Sequence, residues 1–304
     1  MNDIRRTILW VIFGFSMVML WDKWQIHNGN KATFFPAPPA QTASAPAATA
    51  TGAGTASVPA PSATPAVAAQ PPTGGPAPVV ASTRERISVS TDVLRLAFDT
   101  EGASLVHGEL LKYPESASDA KPFLLLDESG NRVYVAQTGL IGGAYPTHKT
   151  PMAVVPGARE LKDGEQELVV RFESPDLGGV KLVKTWTLKR GAYDIAVRHE
   201  VVNTGTAPVS PQLYLQLVRD GNKPAGESSF YSTFTGPALY TEAKKYHKVE
   251  FKDIDNGKAE IDKSSTNGYV AMVQHYFATA WLLADGVARD LFVRKVDANL
   301  YAVG

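Results

Sequence analysis

Apolar and polar residues alternate with a period of two through much of the chain between Arg84 and Gly304. Residues two apart on a strand share a face, so this spacing predicts β-strands that each bury one face. The predicted strand faces are Leu94, Leu96 and Phe98; Val180, Leu182, Lys184, Trp186 and Leu188; Tyr193, Ile195, Val197, His199 and Val201; and Leu213, Leu215 and Leu217.

Short glycine-containing turn sequences separate these runs, at Ser129–Asn131, Asp163–Gly164, Leu177–Gly179, Arg190–Gly191 and Asn203–Gly205. Many short strands joined by tight turns predict an all-β sandwich. The region is longer than a seven-strand sandwich needs, so we expect large sheets. Tyr269–Ala284 is compatible with a helix or with buried strands, and Asp290–Val296 and Leu300–Val303 predict two more strands.

The N-terminal region has a different pattern, since residues 7–21 carry no charge and come after Arg5 and Arg6. An apolar helix after basic residues predicts a transmembrane anchor within residues 1–28, with its N-terminus in the cytoplasm. A cleaved secretory signal is the alternative. Trp21–Trp24 is a poor cleavage site because it lacks small residues, so we favour an uncleaved anchor. Both interpretations export the rest of the chain from the cytoplasm.

Residues 29–83 have a composition that suits neither a helix nor a sheet. Between Lys31 and Arg84 there are 52 residues without a charged side chain, of which 17 are alanine and 11 proline. Such a segment has little apolar surface to bury, and its prolines interrupt backbone hydrogen bonding. We expect a disordered, Ala/Pro-rich linker, partly in the polyproline II conformation. The third predicted region, residues 84–304, is the β-sandwich domain.

Charge and cysteine content exclude several classes of protein. The chain has 30 basic and 30 acidic residues, whereas nucleic-acid-binding proteins have a basic excess. It has no cysteine, which excludes disulfides, thiolate metal sites and a thiol nucleophile. We therefore expect no cofactor and no nucleic-acid partner.

Three segments approach catalytic or metal-binding motifs without completing them. His199–Asn203 lacks the second histidine of the H-E-x-x-H zinc motif and has the alternation of a strand, where a surface or edge histidine is expected. Asp253–Gly257 lacks the spacing of a calcium loop, so we predict a polar turn after a strand at Val249–Ile254. Gly226–Phe230 lacks the last glycine of a serine nucleophile elbow. No catalytic residue is assigned.

Exposed aromatic residues give a weaker indication of a binding surface. Phe230, Tyr231, Phe234 and Tyr240 crowd a stretch interrupted by Gly236 and Pro237. They would cover the sandwich or form a wall where a partner docks, and we take them as candidate partner-docking residues. The basic cluster Lys244–Lys248 is expected to be a solvated hairpin rather than a docking site.

Four stretches resemble the periplasmic domain of the YidC membrane protein insertase family: Ile87–Leu94, Thr185–Tyr193, Gly226–Phe230 and Gly268–Trp281. The last is the most specific, because no general structural rule requires its fourteen residues. The order of anchor, linker and domain is also similar to that of the family.

The resemblance implies an inner-membrane protein whose residues beyond about 28 are periplasmic. It implies a β-supersandwich similar to the galactose mutarotase-like fold, and a function in inserting and folding nascent inner-membrane proteins in the lipid bilayer, with or without the Sec translocon. In the family, a five-helix core with a hydrophilic groove performs insertion. This chain has no second hydrophobic span, so we expect its domain to be C-terminally incomplete and to supply anchoring and docking, including contacts with Sec accessory subunits.

Two other functions remain open. One is a membrane-tethered periplasmic module that binds a sugar or a peptide. The other, suggested only by the mutarotase-like fold, is a sugar-active enzyme. Fold alone does not support that inference, and we do not expect an enzyme.

Overall fold

The computed structural model describes residues 84–115, 121–224 and 233–304, together with Phe13, Trp21, Val58 and Pro59. Almost all of the predicted anchor and of the linker lies outside the described residues. Where the chain is described, no helix is long and apolar enough to cross a bilayer.

The residues from 84 onwards that the structure describes form an all-β domain, as predicted, with a short helix, α1 (Phe251–Asp255). In chain order the strands are β1 (Arg86–Ser90), β2 (Leu94–Asp99), β3 (Ser104–Pro114), β4 (Pro122–Glu128), β5 (Val133–Ile141), β6 (Ala153–Val154), β7 (Glu167–Glu173), β8 (Val180–Lys189), β9 (Ile195–Asn203), β10 (Gln212–Asp220), β11 (Thr235–Thr241), β12 (Lys245–Lys248), β13 (Ser264–Ser265), β14 (Tyr269–Gln274), β15 (Phe277–Leu282), β16 (Arg289–Asp290), β17 (Val293–Asp297) and β18 (Leu300–Val303).

In the described residues, three antiparallel sheets and a two-stranded antiparallel ribbon build the domain. The large sheet has eight strands in the order β1-β2-β3-β4-β5-β10-β18-β17. Two four-stranded sheets have the orders β6-β7-β8-β9 and β12-β11-β14-β15, and a small ribbon pairs β13 with β16. One hydrophobic core contains residues from the eight-stranded sheet and from both four-stranded sheets, including Phe98, Trp186 and Met272. The eight-stranded sheet therefore packs against both four-stranded sheets.

Strand β8 has the buried face that its alternating sequence predicts. All five residues predicted to share a face of β8 are buried, including Lys184. Glycines with positive φ form the turns on either side, Gly178 and Gly179 before β8 and Gly191 after it. The predicted face of β9 begins only at Ile195, because Tyr193 precedes the strand, and Val201 at its other end is exposed.

Tyr269–Ala284, for which helix and strand were both open, is a hairpin. Strands β14 and β15 pair from Tyr269 opposite Leu282 to Gln274 opposite Phe277. His275, in the turn between them, has φ of 57°. Lys244–Lys248 also lies at a hairpin, since β12 pairs with β11.

The strand predicted at Val249–Ile254 is wrong, because residues 251–255 form helix α1. Phe251 and Ile254, three residues apart, both pack against the main core, which is the spacing of a helix rather than of a strand. Asp255 fixes the end of α1, since it accepts hydrogen bonds from Lys295 Nζ at 2.7 Å and Tyr301 Oη at 2.9 Å. Gly257, with φ of 64°, ends the helix.

Candidate functional site: an apolar groove between two sheet edges

The described domain has a groove of about 1140 Å³. Its floor comes from the eight-stranded sheet and includes Leu94, Leu96, Leu110, Leu126 and Leu217, with Trp186 from β8. These floor residues also belong to the main hydrophobic core. The floor is therefore held in place by the packing that stabilises the fold.

Two outermost strands form the walls of the groove. Strand β9 is the last strand of one four-stranded sheet and β15 the last of the other. Residues 193–197 and 275–282 line the groove without a gap. Successive side chains of a strand point to opposite faces, so an uninterrupted run of lining residues means that the strand's edge borders the groove. An outermost strand presents unpaired backbone N–H and C=O groups at its edge.

Aromatic rings connect the two walls. The ring centroid of Tyr193, next to β9, lies 5.7 Å from that of Tyr113 at the end of β3. Tyr113 contacts Phe277 of β15 edge to face at 5.6 Å, and Phe277 stacks on Phe123 of β4 at 4.2 Å. Such pairs contribute about 0.5–1.5 kcal/mol each beyond the area that they bury. The four rings hold β3, β4, the start of β9 and β15 in a fixed relation.

The groove offers few polar groups for chemistry. Besides tyrosines, its titratable lining residues are Glu115, Asp194 and His275. The indole N–H groups of Trp186 and Trp281 are buried and have no hydrogen-bond partner within the described part of the chain. Among the described residues, no group of three or more His, Asp or Glu side chains could hold a metal ion. The arrangement suits binding of an apolar chain better than proton transfer to a polar substrate.

A separate polar cluster is buried where β8 faces the large sheet. Lys184 Nζ donates to the carbonyl oxygens of Gly102 at 2.6 Å and Thr138 at 2.7 Å. His199 Nε2 lies 2.9 Å from Thr138 Oγ1, and His148 Nδ1 lies 2.6 Å from Tyr214 Oη. These hydrogen bonds account for polar groups in an otherwise apolar interior.

Burial shifts the titration of this cluster. It lowers the pKa of Lys184 to about 7. It also lowers the pKa of His148 and His199 to about 3, with smaller effects from nearby cations, Lys184 in both cases. The unfolded chain takes up protons on these histidines near pH 6.5, so the stability from their neutral forms is present above pH 6.5 and is lost as the pH falls towards 3.

The structure describes only two of the four candidate docking residues, since Phe230 and Tyr231 lie outside the described residues. Phe234 and Tyr240 are half-buried. Phe234 precedes β11 with Lys248 Nζ 5.0 Å from its ring centre, while Tyr240 stacks on Tyr269 at 5.6 Å. Six residues of extended chain span about 20 Å, so these two rings do not form one patch. Neither lines the groove.

The interpretation of His199–Asn203 as a strand is confirmed, because these residues end β9, the outermost strand of its sheet. The groove itself was not predicted. Two of its four connecting rings do lie in stretches that carry the family resemblance, Tyr193 in Thr185–Tyr193 and Phe277 in Gly268–Trp281. The family resemblance thus marked both stretches, but it did not indicate that they meet in the folded domain.

Comparison with known proteins gives a consistent result. The family model described as "YidC periplasmic domain" matches residues 86–304. The chain is 52% identical to "Membrane protein insertase YidC" of Bordetella parapertussis over 99% of its own length and 54% of the relative's. Proteins of the same name are 48% identical in Cupriavidus taiwanensis and 46% in Herminiimonas arsenicoxydans, again over 99% of this chain.

The chain spans about half the length of the curated relatives that it matches. The match to the family model includes every described strand, and therefore the groove, its aromatic connection and the buried lysine. On these grounds the chain belongs to the YidC membrane protein insertase family.

Proposed function

We propose that this chain is the N-terminal part of an inner-membrane protein that inserts and helps fold nascent membrane proteins, with or without the Sec translocon. The proposal rests on the names of its relatives and on the family match. Residues 1–28 anchor the protein in the bilayer with the N-terminus in the cytoplasm, as Arg5 and Arg6 favour. Residues 29–83 are the linker, and residues 84–304 lie in the periplasm as a β-supersandwich similar to the galactose mutarotase-like fold.

Within this protein, the groove binds extended, apolar polypeptide segments by adding them to a sheet edge. The observation that carries this proposal is the apolar groove bordered along two outermost strands, β9 and β15. Added strands gain main-chain hydrogen bonds from the edge, while alternate side chains enter pockets beside it. Here the leucine-rich floor would receive those side chains. A segment of a membrane protein on its way into the bilayer has this chemistry.

The same observation favours a peptide over a sugar. Sugar binding and sugar chemistry need several hydrogen-bonding groups that converge on one ring, and mutarotation needs a positioned acid and base. The groove presents three acidic or histidine side chains along a lining of 27 residues that is mostly apolar. A sugar bound in this groove would bury hydroxyl groups without hydrogen-bond partners, which costs free energy. The side chains of an apolar peptide strand bring no such groups.

This proposal is tested with a labelled peptide and the purified 304-residue chain. The probe is a dansyl-labelled octapeptide of alternating valine and serine, titrated by fluorescence anisotropy. We expect saturable binding, and at least about tenfold weaker binding to the Ala280→Arg variant, because this change places a charge on the β15 wall. Val202→Arg, on a part of β9 that does not line the groove, is the matched control and should leave binding unchanged.

A second probe separates edge pairing from simple apolar attraction. The same octapeptide with N-methylated backbone amides keeps its side chains but cannot donate main-chain hydrogen bonds, and we expect it not to bind. Equal binding of both peptides would contradict pairing at the edge. Saturable binding of galactose, with no binding of either peptide, would replace this proposal with the sugar-binding one.

We also propose that Phe230, Tyr231, Phe234 and Tyr240 contact Sec accessory subunits, with Phe234 and Tyr240 as separate contact points. Half-burial of Phe234 and Tyr240 leaves part of each ring available at the surface. In the full-length protein, Phe234→Glu should reduce copurification of Sec components more than Sec-independent insertion. Leu213→Glu, at an exposed leucine of β10, is the control. Equal loss of both activities with the domain still folded would count against docking.

A further inference from the structure

Two residues of the Ala/Pro-rich linker, Val58 and Pro59, lie within the described structure. Pro59 is buried and Val58 half-buried. Nη1 of Arg294, on strand β17, donates a hydrogen bond to the carbonyl oxygen of Val58 at 2.7 Å. The linker therefore contacts β17, the outermost strand of the large sheet. This contact lies well before the point in the sequence where the linker reaches β1.

The guanidinium that makes this contact is held in place from the sheet side. Arg294 Cζ lies 5.2 Å from the ring centre of Phe292, and Arg294 Nη2 donates to Gln216 Oε1 at 3.3 Å. Gln216 is fully buried, and its Nε2 donates to Gln137 Oε1 at 2.9 Å. A chain of hydrogen bonds thus runs from the interior of the sheet through Arg294 to the linker.

Arg294 stands at the end of an apolar row on the outer face of the large sheet. Arg294 of β17 pairs with Ala302 of β18. The row continues from Ala302 to Val218 of β10, and from Val218 to Val135 of β5. Residues directly opposite in antiparallel strands share a face. The neighbours Leu217 and Val303 belong to the main core, so this row faces away from it. Val135, Val218 and Ala302 are nevertheless at most 3% exposed.

The chemistry at this site suits a proline-containing segment. Proline has no N–H that needs a partner, so Pro59 can be buried without leaving a donor unpaired. The carbonyl before it does need a donor, and Arg294 supplies one. Extended proline-rich segments are recognised in this general way, by aromatic surface that receives the ring and by donors to the backbone carbonyls.

We propose that Phe292, Arg294 and Gln216 form an intramolecular binding site for the linker around Val58–Pro59. Docking there divides the linker into a spacer, residues 29–57, and a loop that returns to β1. A flexible chain the length of residues 29–83 spans about 40 Å on average, and one the length of residues 29–57 about 30 Å. Docking therefore shortens the average span of the undocked linker by about a quarter.

Electron paramagnetic resonance of the 304-residue chain in detergent micelles tests this site. The chain has no cysteine, so Ser57→Cys gives one nitroxide next to the contact and Gly74→Cys gives one elsewhere in the linker. We expect the label at position 57 to be immobilised and the label at 74 to be mobile. Arg294→Gln should shorten the rotational correlation time at position 57 about tenfold, towards nanosecond chain motion.

Two further variants keep the test decisive. Pro59→Asp changes the linker side of the contact, outside the described strands, so it should release the label at position 57 without unfolding the domain. Arg198→Gln, at an exposed arginine of β9, should change nothing. A mobile label at position 57 in the parent chain, or an immobilised label in both Arg294→Gln and Pro59→Asp, would overturn the proposal.

Discussion

Replacing Gly268 with alanine is expected to prevent the domain from folding, with a loss of about 4 kcal/mol or more in the free energy of unfolding. Gly268 has φ of 85°, and a Cβ there would lie 1.8 Å from the carbonyl oxygen of Tyr240. Because Tyr240 pairs with Tyr269 across β11 and β14, relieving this overlap requires the two strands to separate. Circular dichroism and urea denaturation would measure the loss.

Gly164→Ala is the matched control for this prediction. Gly164 has φ of 86°, almost the same backbone conformation, but nothing lies within 4 Å of the position of a Cβ. This change should cost only the strain of the left-handed conformation, about 1–2 kcal/mol. Equal losses for the two variants would show that strain alone, rather than the close approach of β11, requires glycine at position 268.

Lys184→Met is expected to lower the free energy of unfolding by about 2–4 kcal/mol at pH 9. The methionine keeps most of the buried volume but leaves the carbonyl oxygens of Gly102 and Thr138 without the lysine as donor, and a buried unsatisfied group costs about 1–3 kcal/mol. Lys181→Met is the control, because Lys181 is on the same strand but partly exposed, in an ion pair with Glu173 at 2.9 Å. Ion pairs at the surface contribute about 0–1 kcal/mol.

The effect of Lys184→Met should depend on pH, with a definite sign. Burial lowers the pKa of Lys184 to about 7, whereas in the unfolded chain this group titrates near 10.4. Between these values the unfolded state binds one proton more, so parent stability rises with pH by up to about 1.4 kcal/mol per unit relative to the variant. A loss that is the same at pH 6 and pH 9 would contradict a buried, titrating lysine.

The local elements were predictable from the sequence where one physical signal dominated. The alternation from Val180 to Leu188 identified β8, because a strand that buries one face places a buried residue at every second position. The bounds predicted for Leu300–Val303 agree with β18 to the residue. Helix α1 was missed because five residues give too short a window, and its Phe251–Ile254 spacing becomes meaningful only once the core beside it exists.

The groove could not be predicted because its parts come from distant stretches of the chain. Tyr113, Phe123, Tyr193 and Phe277 meet only through the pairing and packing of three sheets. Alternation reports which face of a strand is buried, but not which sheet covers it. The same holds for Lys184, which the pattern placed on a buried face without indicating the carbonyl groups of Gly102 and Thr138 that receive its hydrogen bonds.

The shared use of the groove floor has an evolutionary consequence. Leu94, Leu126, Leu217 and Trp186 belong at once to the core and to the floor, so a mutation that alters what the floor accepts also alters whether the protein folds. Wall positions such as Ala278 and Ala280 are exposed and are free of that restriction. The peptide specificity proposed for the groove can therefore change through substitutions in its walls, while the floor is conserved together with the fold.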